Sequence, residues 1–184
     1  MFMIIKNYLN KNIMKTEKYI ITTIQDFKKL NENISDRYML FYYDDEYNEM
    51  FDDYDIDQYE AADKANEVAI NAGLTISRNK RLSNILIDIK LKGVIGAVWI
   101  SDSRYKISFD LAIDSSYQNM GLSSILIGAA LDEYQIQKDM YDDMEEDFEM
   151  EVDVINPKLA KILKSKYGFY VTSELTPTRV LMSK

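Results

Sequence analysis

The chain has 184 residues, 31 Asp and Glu against 22 Lys and Arg, no cysteine and no histidine, for a formal net charge of -9. That length suits one domain able to bury a core without disulfides or metal. Without Cys or His, a thiol nucleophile, a Ser-His-Asp triad, a Cys-His dyad and zinc sites built on those ligands are all excluded. Proton transfer falls to carboxylates, Tyr, Lys, water or backbone.

The opening residues, MFMIIKNYLNKNIMK, hold an apolar run that Lys6 and Asn7 interrupt too early for a signal peptide, and no other run reaches membrane-spanning length. The chain therefore reads as a soluble cytoplasmic protein. Met14 offers a second start, so residues 1–17 read as an N-terminal arm and 18–184 as a single domain. Lys18 to Ile24, rich in β-branched residues, reads as a strand. Phe27, Leu30 and Ile34 then share one face of a helix with Thr23 as its N-cap. From Tyr42 to Tyr59 the chain is acidic and Tyr-rich with no clean period. Ala61, Ala62, Ala65, Val68, Ala69 and Ala72 follow as a helical stripe closed by Gly73.

Ile85 to Leu91, Val94 to Ile100 and Lys106 to Ile113 are apolar or alternating runs, separated by Lys92-Gly93 and by Asp102-Ser103-Arg104, which predicts an antiparallel meander. Phe148 to Ile155 predicts a further strand. NPKLAKILKSKYGF predicts a helix with Pro157 in its first turn, and YVTSE and TRVLMSK predict closing strands.

The charge is unevenly spread. Asp44 to Glu60 and Asp139 to Asp153 each hold nine acidic residues and no Lys or Arg, leaving 13 acids against all 22 bases elsewhere. A basic body with two acidic patches disfavours general binding to nucleic acid, while its basic part can still hold a compact anion.

The stretch DSSYQNMGLSSILIGAAL, Asp114 to Leu131, joins the end of a strand to a helix whose buried stripe is Leu122, Ile125, Leu126, Ala129 and Ala130. Gly121 sits where that helix starts. There the first backbone N–H groups lack intrahelical partners, the helix dipole is positive, and a glycine lets a ligand approach the backbone closely. That combination can make an anion site, although a lone glycine at such a turn is by itself a weak signal.

YQNMGLS resembles the Q/R-x-x-G-x-G/A pyrophosphate loop of the GNAT superfamily of acetyl-CoA-dependent N-acetyltransferases. Gln118 and Gly121 match, and Ser123 replaces the last small residue. Asn156, Ala160, Leu163, Gly168 and Phe169 resemble that family's second signature, an Asn ending a strand, then a helix, then Gly-Phe. The resemblance implies an α+β fold: a mixed, mostly antiparallel splayed sheet flanked by helices. It implies acetyl-CoA as donor, with diphosphate on the loop formed by Gln118, Asn119, Met120, Gly121, Leu122, Ser123 and Ser124. Pantetheine would lie along Leu111, Ala112 and Ile113, with Asn156 on its other side. Asn156 reads equally well as a helix N-cap before Pro157.

Moving an acetyl group to an amine needs a neutral amine, donors for the developing oxyanion and a proton for the thiolate, none of which requires His. Asp110 and the alternating Glu149, Glu151 and Asp153 are candidate bases, although for any one of them a solvated sheet face is the commoner role. The family's usual acid, a Tyr four residues before the Gly of Gly-Phe, is here Lys164, which puts the acid step in doubt; Tyr167 is a poor substitute. The acidic, Tyr-rich segment falls where the resemblance puts the acceptor wall, so the expected partner is a cationic small-molecule or protein amine such as a polyamine, an aminoglycoside-like polycation or a lysine. A membrane partner is not expected, and a homodimer is left open. Two binding classes compete: a catalytically degenerate GNAT-fold protein engaging a basic partner, and an acidic mimic of nucleic acid.

Overall fold

The computed structural model describes residues 37–43, 49–103, 106–141, 149–154, 156–176 and 179–184. The arm over 1–17, the strand predicted at 18–24, the helix after it and residues 142–148 of the second acidic run lie outside the described residues.

The first described strand, β1 (Tyr38–Tyr42), comes from YMLFY, a wholly apolar run with no alternation to announce it. After it come a short helix α1 (Glu49–Asp52) and the alanine-striped helix α2 (Gln58–Asn71). The described part of the acidic segment thus follows β1, carries α1 and leads into α2. Asp57 caps α2 by accepting from the N–H groups of Tyr59 and Glu60 at 2.8 and 2.9 Å. Gly73, with φ 75°, ends the helix in the left-handed conformation.

The meander follows as β2 (Arg81–Asp88), β3 (Gly93–Ser103) and β4 (Lys106–Ile113). Helix α3 (Ser123–Tyr141) leads to β5 (Glu149–Val154), and helix α4 (Pro157–Tyr167) to β6 (Tyr170–Thr176) and β7 (Arg179–Ser183). All seven strands form one sheet in the order β1-β2-β3-β4-β5-β7-β6. Every neighbouring pair is antiparallel except β4 and β5.

The sheet has two apolar cores. On one face Ile107, Phe109, Met150, Val152 and Val154 pack with Leu122, Leu126, Ile127 and Ala130 of the α3 segment and Leu163 of α4. On the other, Phe41, Ile85, Ile87, Ala97, Trp99 and Ala112 pack with Phe51 of α1 and Ala61, Ala65, Val68 and Ala69 of α2. The alanines let α2 lie close to the sheet. Among the described residues no helix is long and apolar enough to cross a membrane.

Candidate functional site

The parallel pair β4–β5 is matched only from Lys106↔Glu149 to Phe109↔Val152. Beyond that point β4 continues through Ile113 hydrogen-bonded to β3, and β5 continues through Val154 hydrogen-bonded to β7. The sheet is therefore open between Asp110–Ile113 on one side and Asp153–Val154 on the other. Parallel strands kept together by side chains on one face alone need not stay hydrogen-bonded along their whole length, and here each has a second neighbour to satisfy its backbone.

The loop after β4 turns sharply. Asp114 caps a 3-10 turn (Ser115–Tyr117), Gln118 donates from Nε2 to the Ile113 carbonyl at 3.3 Å, and Asn119 and Gly121 take left-handed φ values of 65° and 79°. Leu122, buried in the core, pins the start of α3. Among the described residues nothing accepts from the backbone N–H groups of Asn119, Met120, Gly121, Leu122 and Ser123; the first N–H groups returned to the chain are those of Ser124 and Ile125. No residue from Ser115 to Ser124 is charged. Five unsatisfied donors on an exposed, uncharged loop at a helix start suit a diphosphate.

A buried network holds this loop from below. Asp88, at the end of β2 and with no exposed side-chain area, receives Arg37 through Nε and Nη2 at 2.8 and 2.7 Å. It also accepts the N–H groups of Lys90 and Leu91 and faces the Tyr117 hydroxyl at 3.4 Å. The Tyr117 ring stands edge-on to Tyr38, 6.3 Å away. Burial pushes the Asp88 carboxyl up, but the Arg37 hydrogen bond and charge and the two N–H donors outweigh it and hold it below the usual carboxylate range. Burial, with the Asp88 charge, pushes the Tyr117 hydroxyl up. The Asp88 hydrogen bond pushes the Arg37 guanidinium up in turn. None of this network stood out in the sequence, although a carboxylate closing the apolar run ILID was a visible signal.

The four candidate bases share one face of the sheet, opposite Phe109 and Val152. They differ in surroundings. Asp110, almost buried, pairs with Lys80 at 2.8 Å, each side chain being only about a tenth exposed. Asp153 holds Arg179 in a bidentate pair, which pushes that guanidinium up with a smaller contribution from Asp110. Glu151 pairs with Lys106 at 2.5 Å. Glu149 is exposed at the closed end of the pair, four residues from Asp153 and so ~13 Å along the strand. Only Asp110 and Asp153 stand at the opening. Lys80 and Arg179, their partners, were not singled out from sequence because nothing in SRNKR or TPTR marks a pairing with a strand far away.

On α4, Asn156 is the N-cap, its Oδ1 accepting from Lys158 N–H at 2.9 Å. Lys164 is exposed, and Tyr167 packs partly against the core. Gly168, with φ 77°, lets the chain leave the helix while the Phe169 N–H returns to the Leu163 carbonyl at 3.2 Å. Phe169 is thereby set against Phe109, centroids 6.3 Å apart, at the last matched pair of β4 and β5.

On the α2 side, a cavity of ≈480 Å³ lies between α2, the β2–β3 turn and the end of β4, its charged lining being the carboxylates of Asp55, Asp57, Glu60, Glu67 and Asp114 against the ammonium groups of Lys64 and Lys92. Asp55 at its rim pairs with Lys92 at 2.5 Å, which holds the Asp55 carboxyl below its usual range.

No family model and no curated protein matches this sequence. Solved structures do match. The acetyltransferase of GNAT family from Streptococcus pneumoniae is similar with a TM-score of 0.52 at 14% identity, over 80% of this chain and 98% of that one. The yncA protein of Salmonella typhimurium, solved with acetyl-CoA as its cofactor, is similar with a TM-score of 0.51 at 14% identity, over 80% and 93%. Escherichia coli ElaA is similar with a TM-score of 0.51 at 9% identity, over 80% and 97%. The fold is that of the GNAT acetyltransferases. Within this GNAT fold the opened β4–β5 pair, the free N–H loop and the Asn156-to-Phe169 segment all face one crevice region, at the carboxyl ends of the two parallel strands. Crevices where parallel strands part are where open sheets of this kind take ligands.

Proposed function

We propose that the chain is an N-acetyltransferase that moves an acetyl group from acetyl-CoA to a primary amine of a cationic acceptor. The observation that carries this reading is the opening between β4 and β5 directly beside five unsatisfied backbone donors. Asn119 to Ser123 would hold the diphosphate, and the β4 backbone from Leu111 to Ile113, which lacks a partner on its β5 side, would line the pantetheine arm. The donor supplies an activated acyl group as its thioester. The chain's own part is to fix the acceptor and move protons. Asp110 and Asp153 are placed to accept a proton from an ammonium group at the opening, and backbone N–H groups of the unpaired β4 edge to meet a developing oxyanion.

The acidic cavity supports a cationic acceptor with more than one charge. It lies on the same side of the sheet as Asp110, and Asp114 in its wall is four residues from Asp110, ~13 Å along the strand. An extended polyamine can place one amine at the opening and another among these carboxylates.

A second reading, a GNAT-fold protein that binds without transferring, is favoured by one observation: three of the four candidate bases are already ion-paired. Thiol release from acetyl-CoA with a panel of amines decides between them. The transferase reading expects acceptor-dependent release with polyamine-like amines; binding of acetyl-CoA by calorimetry with no release from any amine overturns it in favour of the second.

A further inference from the structure

Lys80 is a primary amine held almost dry at the opening of the sheet. Its Nζ lies 2.8 Å from Asp110 Oδ1, and Asp110 is the first β4 residue past the last matched pair with β5. The approach of Lys80 is fixed from its own side, since its N–H donates to the Ser77 carbonyl at 3.0 Å just before β2 begins. Arg179 and Asp153 flank the pair across the opening and neutralise each other, so no spare carboxylate there competes for the Lys80 ammonium. An ammonium group beside a carboxylate at an acyl donor's site is the arrangement that an acceptor substrate itself must reach. Here the chain supplies both partners.

We infer that Lys80 is an acetyl acceptor: the protein acetylates its own Lys80 with an acetyl thioester bound in the opening. This rests on the proposed acetyl-CoA site. In the proposed step the Lys80 ammonium passes one proton to the Asp110 carboxylate across their 2.8 Å contact. The Nζ lone pair then forms the N–C bond to the acetyl carbonyl carbon and the C–S bond breaks, its electron pair leaving on sulfur. The second Nζ proton goes to that sulfur, giving acetyl-Lys80, CoA thiol and protonated Asp110, which returns its proton to water. Acetylation removes the Lys80 charge and leaves the Asp110 carboxylate without its cation, open to the ammonium of an external amine. Lys80 acetylation therefore precedes, and makes room for, binding of a cationic acceptor at Asp110.

The test is peptide mapping by mass spectrometry after incubating the full chain with acetyl-CoA and no amine, with calorimetry of acetyl-CoA binding in parallel. The expected result is one acetyl group on Lys80, appearing at least tenfold faster than on exposed Lys64, abolished in Lys80→Arg and slowed at least tenfold in Asp110→Asn. Lys64, more than half exposed and paired only with its helix neighbour Glu67, reports the uncatalysed background. Acetyl-CoA binding with Lys80 modified no faster than Lys64 overturns the inference and leaves the donor site standing. Failure to bind acetyl-CoA overturns both. The wild-type comparison of Lys80 with Lys64 decides the matter even if a variant does not fold.

Discussion

The loop from Asn119 to Ser123 and the carboxylate row of Asp110, Glu151 and Asp153 flank the same opening, yet one is unsatisfied and the other is internally paired. The loop displays neutral N–H groups that water can serve until an anion arrives, so leaving them open costs little. A carboxylate on a half-buried sheet face cannot be left alone so cheaply, because desolvation penalises its charge. Lys80, Lys106 and Arg179 answer that penalty. The contrast separates the two proposed roles: the loop has its N–H groups open in the folded chain, while Asp110, Glu151 and Asp153 each hold a resident cation that a cationic acceptor would have to displace.

The largest expected effect breaks the loop. Gly121→Glu puts a side chain on a left-handed residue and a negative charge where the diphosphate is proposed to sit. Acetyl-CoA affinity measured by calorimetry should fall about 100-fold, ~3 kcal/mol. Unchanged affinity would remove the loop from the donor site.

Next comes the support beneath the loop. Asp88→Asn exchanges charge-assisted hydrogen bonds for weaker ones and should cost ~1–2 kcal/mol in urea unfolding at neutral pH. Because Asp88 is held below its usual range in the folded chain, its contribution is present above the unfolded value, about pH 4, and is lost as pH falls through the lower folded value. The gap between variant and parent should narrow as the pH falls below about 4. A gap that stays constant below that pH would assign the effect to packing instead.

A third change improves the fold away from the opening. Burial alone pushes the Asp132 carboxyl on α3 up to about 6. Between about pH 4 and 6 the folded chain holds a proton that the unfolded chain has released, so stability falls as pH rises through that window and the deficit is complete above it. Asp132→Asn should stabilise by ~1 kcal/mol at pH 8, the figure reduced for partial exposure, and by nothing at pH 4. Equal melting temperatures of parent and variant at pH 8 would contradict it.

The smallest effect sharpens the acceptor side. Replacing Asp52, Asp53, Asp55 and Asp57 by Asn keeps the α2 cap, since Asn caps as well as Asp, but removes charge around the acidic cavity. The Michaelis constant for polyamine-like acceptors should rise a few-fold at low salt and the difference should shrink as the Debye length falls below about 8 Å, with acetyl-CoA affinity unchanged. Identical constants at every salt concentration would make this segment a solvated loop.

The sequence was most informative where structure is local. The Gly121 turn, the Asn156 cap, the Gly168 exit and the alanine face of α2 depend on neighbours within a few residues, so each is legible in the sequence. Strand β1 escaped because YMLFY, apolar throughout, shows neither a strand's alternation nor a helix's period, and its place in the sheet is decided by pairing with β2.

By itself, the sequence determined the order of elements from Ala61 onward, the Gly121 turn at a helix start and the absence of histidine and thiol chemistry, because composition and short-range periodicity carry that information. Only the tertiary structure decided which charges meet. Arg37 reaches Asp88 across 51 residues and Arg179 reaches Asp153 across 26, and Lys80 comes to Asp110 from another strand's approach. Whether a carboxylate is a free base or half of an ion pair depends on what the sheet brings beside it, since strand pairing sets partners by register and not by distance along the chain.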